Sequence, residues 1–317
     1  MTNPAFSGRR VALVVAGGGA RGAYAAGCLS RLAEEGFEPC ACSGTSIGAL
    51  TVGVLAGNRN FRAGAEAAGR FWDLLSTRSP LGSYRLDVAA RALLSGADGP
   101  AIFDDRPIVD AVRDFVDPSA VAAAPRTWIT VTELLRPNGS LLWALVAKRH
   151  APRWIELQAL AKEQVHDYLL ASAAIPFALP SRKVAGAALV DGGLVDNTPV
   201  LPLTSLRPDM IVVVKLEHGS SWWRGEFADQ AILEISPSKP VQKDSGLRAW
   251  AESLLDFSPS KIAYLREMGY ADAGRALRAY ADWRVTSDLL RTQQDDLLDS
   301  TERMLAAGNR LLGDNKS

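Results

Sequence analysis

The sequence predicts an α/β protein built on a central, mostly parallel sheet flanked by helices. Three observations carry that prediction. Val11 to Ala16 is an unbroken apolar, β-branched run, the pattern of a strand covered on both faces. Twice near the start a short strand pattern runs into a glycine-rich turn and then into helix, the order that builds a parallel sheet. A further buried run, Met210 to Leu216, supplies another strand of the same kind far along the chain.

Taken in order, glycines 17 to 19 end the first strand, and Ala20 to Glu35 reads as a helix stopped by Gly36. Pro39 to Ser43 is the second strand, Gly44 to Gly48 the second glycine-rich turn, and Ile47 to Leu55 the second helix. Phe61 to Leu75 is helical with an apolar end. Ser76 to Pro107, rich in Gly, Pro, Ser and Asp, reads as a long surface excursion. Thr127 to Leu134 and Ser140 to Ala147 flank Arg136-Pro-Asn-Gly139 and predict a hairpin. Ile155 to Ala174 is expected to be a helix stopped by Pro176, and Ala187 to Val190 a short strand. From Pro259 onward the pattern is helical, ending in an amphipathic stretch over Thr286 to Leu312. There is no internal repeat and no low-complexity linker, so a single domain over residues 1–317 is expected.

Composition narrows the function classes. The chain is 48% hydrophobic and 22% charged, enough apolar material for a sizeable core. Lys+Arg and Asp+Glu balance at 35 each, which removes bulk electrostatics as a reason to bind a nucleic-acid polymer or to cling to a membrane by charge. Cys28, Cys40 and Cys42 make neither a disulfide framework nor a zinc site and suit a reducing cytosol. Arg9-Arg10 before VALVVAGGGA imitates a signal peptide, but the run is glycine-broken and Arg21 follows closely, so a buried first strand is expected. No run approaches the roughly 18 apolar residues of a spanning helix. The expectation is a cytoplasmic protein, soluble or peripheral at the inner face of the membrane.

Three motifs carry chemistry. Gly17-Gly18-Gly19-Ala20-Arg21-Gly22 fits G-x-G-x-x-G after a strand. Glycines let the backbone approach a ligand, and the following helix offers N–H groups to an anion, whether a dinucleotide phosphate or a developing oxyanion. Gly44-Thr45-Ser46-Ile47-Gly48 is G-x-S-x-G at a strand-to-helix turn, where Gly44 and Gly48 permit the bend that presents the serine hydroxyl. The competing use of Ser46 is as a helix N-cap. A dinucleotide domain would set a ribose-binding acid near the end of the second strand, where the sequence has Cys40-Ala-Cys-Ser43. The two turns open on the same sheet edge, so N–H groups of the first can face a carbonyl attacked by Ser46; one such donor is typically worth about 3–4 kcal/mol. Asp191-Gly192-Gly193 ends a strand and leaves its carboxylate unshielded, although an Asp-Gly turn is the ordinary use of that pattern.

GGGARG, GTSIGAL, ASAAIPFALP (Ala171 to Pro180) and DGGLVDNTP (Asp191 to Pro199) follow one another in that order. Together they resemble the four blocks of patatin-like phospholipases, over residues 11 to about 216. The resemblance implies a three-layer patatin-like core with a helical C-terminal extension over about 244–317. It also implies a Ser46–Asp191 dyad, and an oxyanion hole at Gly17, Gly18 and Gly19 with Arg21 and Gly22 in the same loop. Ser172 and Pro176 fall in a block that shapes the site wall. The expected activity is that of a serine lipid acyl hydrolase, of phospholipase A or esterase type, working through an acyl-enzyme. Its substrate would be a phospholipid or other acyl lipid at a membrane surface, with no cofactor and no metal.

Ser258-Pro-Ser-Lys-Ile262 with Gly269-Tyr270 is similar to a segment of some stand-alone bacterial members, some of which are membrane-degrading effectors in anti-phage signalling. An acyltransferase with the same dyad, a Ser46–Asp191–His218 triad of the α/β-hydrolase kind, and a non-catalytic binding module are the alternatives. Homo-oligomerisation and a small-molecule activator stay open. His150 and His166 have no motif around them, and Trp222-Trp223 suits a headgroup interface or a half-buried pair equally.

Overall fold

The computed structural model describes residues 6–78, 103–135, 150–176, 178–219, 222, 224–241 and 253–313. The chain divides into two compact units, residues 1–274 and 275–317. The first unit holds the sheet.

Its strands are β1 (Val11–Val15), β2 (Ala41–Thr45), β3 (Arg126–Leu134), β4 (His150–Glu156), β5 (Arg182–Val184), β6 (Ala187–Asp191), β7 (Met210–Val214) and β8 (Ile232–Ile235). They run in the order β5-β6-β3-β2-β1-β7-β8, with β4 also on β3. The pairs β3–β2, β2–β1, β1–β7 and β7–β8 are parallel, whereas β4 and β6 join β3 antiparallel. Every residue of β1 and β7 is buried, as their unbroken apolar sequences require. The mostly parallel sheet predicted from the sequence is therefore present.

The helices are α1 (Ala23–Glu34), α2 (Ile47–Ala56), α3 (Phe61–Thr77), α4 (Arg106–Phe115), α5 (Pro118–Val121), α6 (Lys162–Ser172), α7 (Leu201–Thr204) and α8 (Pro259–Gly313). One sheet face, carrying Ala12, Val14, Ala41, Ile211 and Val213, is closed by Val200 and Leu203 with half-buried Leu206, Trp222 and Phe227. Trp222 donates its indole N–H to Glu234, which assigns that ring to packing rather than to a headgroup. On the other face α2 packs against β2 and β3 and against α3 and α6. All ten α2 residues are buried, which is why IGALTVGVLA is apolar all round. Within the first unit, α1 meets α8 so closely that a Cβ on Gly27 would collide with the Arg266 carbonyl, and one on Gly269 with that of Tyr24.

Two sequence expectations change. Ile155 to Ala174 is not one helix: β4 runs to Glu156, a 3-10 turn covers Leu157–Ala159, and only Lys162–Ser172 is α-helical. The predicted turn and second arm of the hairpin, residues 136–149, lie outside the described residues; the described partner of β3 is β4, with Leu134 opposite His150. The surface excursion lies mostly outside them as well, and α4 begins at Arg106, inside the span read as irregular. No helix among the described residues is long and apolar enough to cross a membrane.

Candidate active site

Strand β3 brings Ser46 and Asp191 together. One edge of β3 is taken by β4, from Trp128 to Leu134. On the other edge β2 ends with Thr45 opposite Thr130, and β6, running the other way, ends with Asp191 opposite Val131. The two strands thus meet end to end along a single edge. The residue after each pairing end enters a tight turn, and the Ser46 hydroxyl donates to Asp191 Oδ2 at 2.6 Å.

The backbone at Ser46 is strained. It has φ 57° and ψ −126°, a conformation that costs a non-glycine residue on the order of 1–3 kcal/mol. The surroundings hold it there. Its N–H donates to Ser172 Oγ at 3.0 Å, and Ser172 Oγ donates to the Thr130 carbonyl at 2.6 Å. Close packing of α2 onto the sheet also demands both framing glycines: a Cβ on Gly44 would collide with the Gly48 carbonyl, and one on Gly48 with that of Val15. Ser46 heads α2 but makes no side-chain cap, so the N-cap alternative fails.

Asp191 is nearly enclosed. Its Oδ1 accepts the Gly193 N–H at 2.7 Å, its own N–H donates to the Ala174 carbonyl, and its carbonyl accepts from Thr132 Oγ1. Burial raises the carboxyl pKa to about 6, against the opposing pull of the bonds from Ser46 and Gly193. Such a group is ionised at neutral pH yet basic enough to take a proton from a hydroxyl.

The glycine loop follows β1. The Gly17 N–H donates to the Asn197 carbonyl at 3.1 Å, and Asn197 Nδ2 donates back to the Gly17 carbonyl at 3.3 Å. Gly17 was expected among the oxyanion donors; its N–H is spent on anchoring the loop. Among the described residues no backbone acceptor takes the N–H of Gly18 or Gly19. Arg21 is buried, donates to the Gly18 carbonyl at 3.3 Å and pairs with Glu217 at 2.7 Å. Burial lowers its pKa and Glu217 works against that. Its place is behind the loop. Gly22 is a packing position, where a Cβ would crowd Ile47 and Trp72.

Gly19 has φ +54°, and a Cβ there would collide with the Leu254 carbonyl. The crowding that a side chain at Gly19 would cause thus falls on the main chain of residue 254. Gly19→Val is therefore expected to lose about 1–3 kcal/mol of folding free energy as well as activity. Urea unfolding would measure it, and an unchanged midpoint would restore a purely catalytic role.

Beside Ser46 lies a small apolar pocket. Ile47, Leu50, Ile108, Ile175 and Leu179 line it with Leu254, Leu255 and Phe257, and Phe257 stacks on Trp72 at 6.0 Å. The segment 253–257 carried no signal in the sequence. Asn197 and Ser172 lay in recognised motifs, but their roles depend on partners far away in the chain. His218 Nδ1 bonds the Pro237 carbonyl and His166 the Val116 carbonyl, so neither histidine completes a triad with Asp191 here. Among the described residues no group of three or more His, Cys, Asp or Glu is arranged to hold a metal ion.

An uncharacterized NTE family protein of Mycobacterium tuberculosis is 28% identical over 253 residues, covering 79% of this chain and 61% of that protein. A second from the same species is 28% identical over 220 residues, covering 67% of this chain and 31% of its own length. The chain thus spans about six tenths of the first relative and less of the second. Among solved structures, VipD from Legionella pneumophila superposes with a TM-score of 0.47 at 13% identity, covering 86% of this chain and 67% of its own. Human GIVD cytosolic phospholipase A2 gives 0.47 at 9% identity, covering 86% and 62%. The family model described as patatin-like phospholipase matches residues 13–204, more than half of the chain and the span that contains the glycine loop, Ser46 and Asp191. On that match, the chain belongs to the patatin-like phospholipase family.

Proposed function

We propose that the chain is a serine lipid acyl hydrolase, with Ser46 as nucleophile and Asp191 as its only side-chain base. The observation that carries this is the 2.6 Å hydrogen bond from the Ser46 hydroxyl to a carboxylate whose pKa burial has raised to about 6. Asp191 takes the hydroxyl proton as Oγ attacks the ester carbonyl, and the N–H groups of Gly18 and Gly19 hold the oxyanion. Collapse expels the alcohol, which leaves with the proton from Asp191. Water, deprotonated by the same carboxylate, then attacks acyl-Ser46; the acid departs and the proton returns to Oγ. The apolar side chains beside Ser46 are of the kind an acyl chain would pack against. A phospholipid is the substrate in keeping with the family description, met at a membrane surface to which the protein binds peripherally.

Lipid mass spectrometry on defined phospholipid vesicles, with wild type and Ser46→Ala, tests the reading. Free fatty acid from wild type alone supports hydrolysis; transfer of the acyl group to a second lipid or alcohol would replace hydrolysis by acyl transfer. A fluorophosphonate probe is expected to tag Ser46, and an untagged wild type would argue for a binding module. Activity is also expected to survive EDTA, because the proposed oxyanion donors are backbone N–H groups. Loss restored by added calcium would contradict that.

A further inference from the structure

An oxyanion donor has to be aimed, and the chain leaving β7 is placed to aim one. The Val214 carbonyl, at the end of β7, accepts the Ala16 N–H at 3.0 Å, so the residues after it run beside the glycine loop. Leu216 lies against the Cα of Gly18, where a Cβ would meet its side chain at 3.0 Å. Glu217, the next residue, reaches the Arg21 guanidinium at 2.7 Å. Glu217 stands outside every motif read from the sequence and beyond residues 13–204, the span of the family match.

The Gly18 carbonyl accepts twice from Arg21, from its backbone N–H at 3.2 Å and from Nε–H at 3.3 Å. A trans peptide is a rigid plane whose C=O and N–H point in opposite directions. Holding the Gly18 carbonyl therefore fixes the Gly19 N–H on the far side of the same peptide. Gly19 lines one pocket together with Ser46, and no backbone acceptor among the described residues takes its N–H. The guanidinium is planar, and Nε and Nη1 are two points on it. Bonded at Nε alone it could swing; bonded to Glu217 through Nη1 as well, it has one orientation. The Arg21 side chain is only 5% exposed, and a cation so buried depends on its counter-charge, which among the described residues is Glu217.

We propose that Glu217 is a positioning residue: through Arg21 it holds the Gly18–Gly19 peptide so that the Gly19 N–H faces the oxyanion formed during acyl transfer. The proposal rests on the reading of Ser46 and Asp191 as nucleophile and base. Steady-state kinetics on a soluble short-chain ester test it, using Glu217→Gln, which keeps the shape and removes the charge. Glu66→Gln, exposed on α3, is the control. Glu217→Gln is expected to lower kcat about 10- to 100-fold, less than deleting an oxyanion donor outright, with KM nearly unchanged. Affinity for a trifluoromethyl ketone, whose serine adduct carries an oxyanion, should fall by the same factor as kcat/KM. Added to Arg21→Ala, Glu217→Gln should cost nothing further, because Glu217 acts through Arg21. Urea unfolding verifies that each variant is folded, and Glu217→Asp, which restores the charge on a shorter arm, should recover part of the loss. Wild-type kcat in Glu217→Gln, a loss carried by KM, an unaltered ketone affinity, or losses that add in the double variant would overturn the proposal. Turnover by folded Ser46→Ala would instead strike the reading beneath it, so the two failures are told apart.

Discussion

Ser46→Ala is expected to lower turnover of a soluble short-chain ester by about 10⁴-fold or more, the size of loss seen when a serine nucleophile is deleted. The fold should persist. Alanine is smaller and carries the same Cβ through the same strained backbone, while Ser172 and the Gly44 and Gly48 contacts stay in place. Losing the hydroxyl removes a hydrogen bond that lowers the pKa of Asp191, so the carboxyl of the variant should titrate higher still than about 6. Retention of more than a few per cent of activity in folded Ser46→Ala, measured after removing any copurifying esterase, would overturn the nucleophile assignment.

Asp191→Asn is expected to cost about 10³–10⁴-fold in kcat, because the amide keeps the shape but accepts no proton at neutral pH. The pH profile of wild-type kcat/KM should rise through about 6 and then level off, following ionisation of the carboxyl. Stability should move the opposite way. The folded pKa of about 6 lies above the ordinary 3.8, so the folded protein binds the proton more tightly than the unfolded chain. The stability linked to that proton is fully present below about pH 4 and is lost as pH rises through about 6. By pH 8 the loss is of order 3 kcal/mol. The asparagine variant carries no such term. Its melting temperature should therefore gain on wild type between pH 4 and pH 7, and the gain should hold at pH 8. A variant equally inactive but destabilised at pH 8 would mean that the carboxylate is a structural element, not a strained base.

The parts of the fold legible in the sequence were those written in local chemistry. The β1 run, the two glycine turns and the apolar α2 announce themselves because burial and bend are properties of a few adjacent residues. Ser46 and Asp191 were legible for the same reason, each at a strand end with glycine beside it. Strand β4 was not. His-Ala-Pro-Arg-Trp-Ile-Glu shows no clean alternation and contains Pro152, which suits a strand that, among the described residues, pairs with β3 alone. The following helix then borrowed Ile155 and Glu156 in the sequence pattern. Asn197, Ser172 and the Leu254 carbonyl escaped for another reason. A lone amide, hydroxyl or carbonyl gains its meaning from a partner supplied by the fold, and nothing in the local pattern names that partner. Gly17 shows the same limit: its motif was found, but Asn197 decides what its N–H does.

Because β2 and β6 abut on one edge of β3, the proposed nucleophile and its base are joined only when both strands have paired with it. Ser46 and Asp191 are 145 positions apart. At about 5–20 residues per second, a ribosome has made the serine roughly 7 to 30 seconds before the aspartate exists. A one-residue slip of β6 would then turn the Asp191 side chain to the opposite sheet face. The dyad thus reports that β3 has accepted both strands in register. On the proposed reading, a nascent or misassembled chain carries a serine with no base, and the chemistry appears only once β3 holds both neighbours.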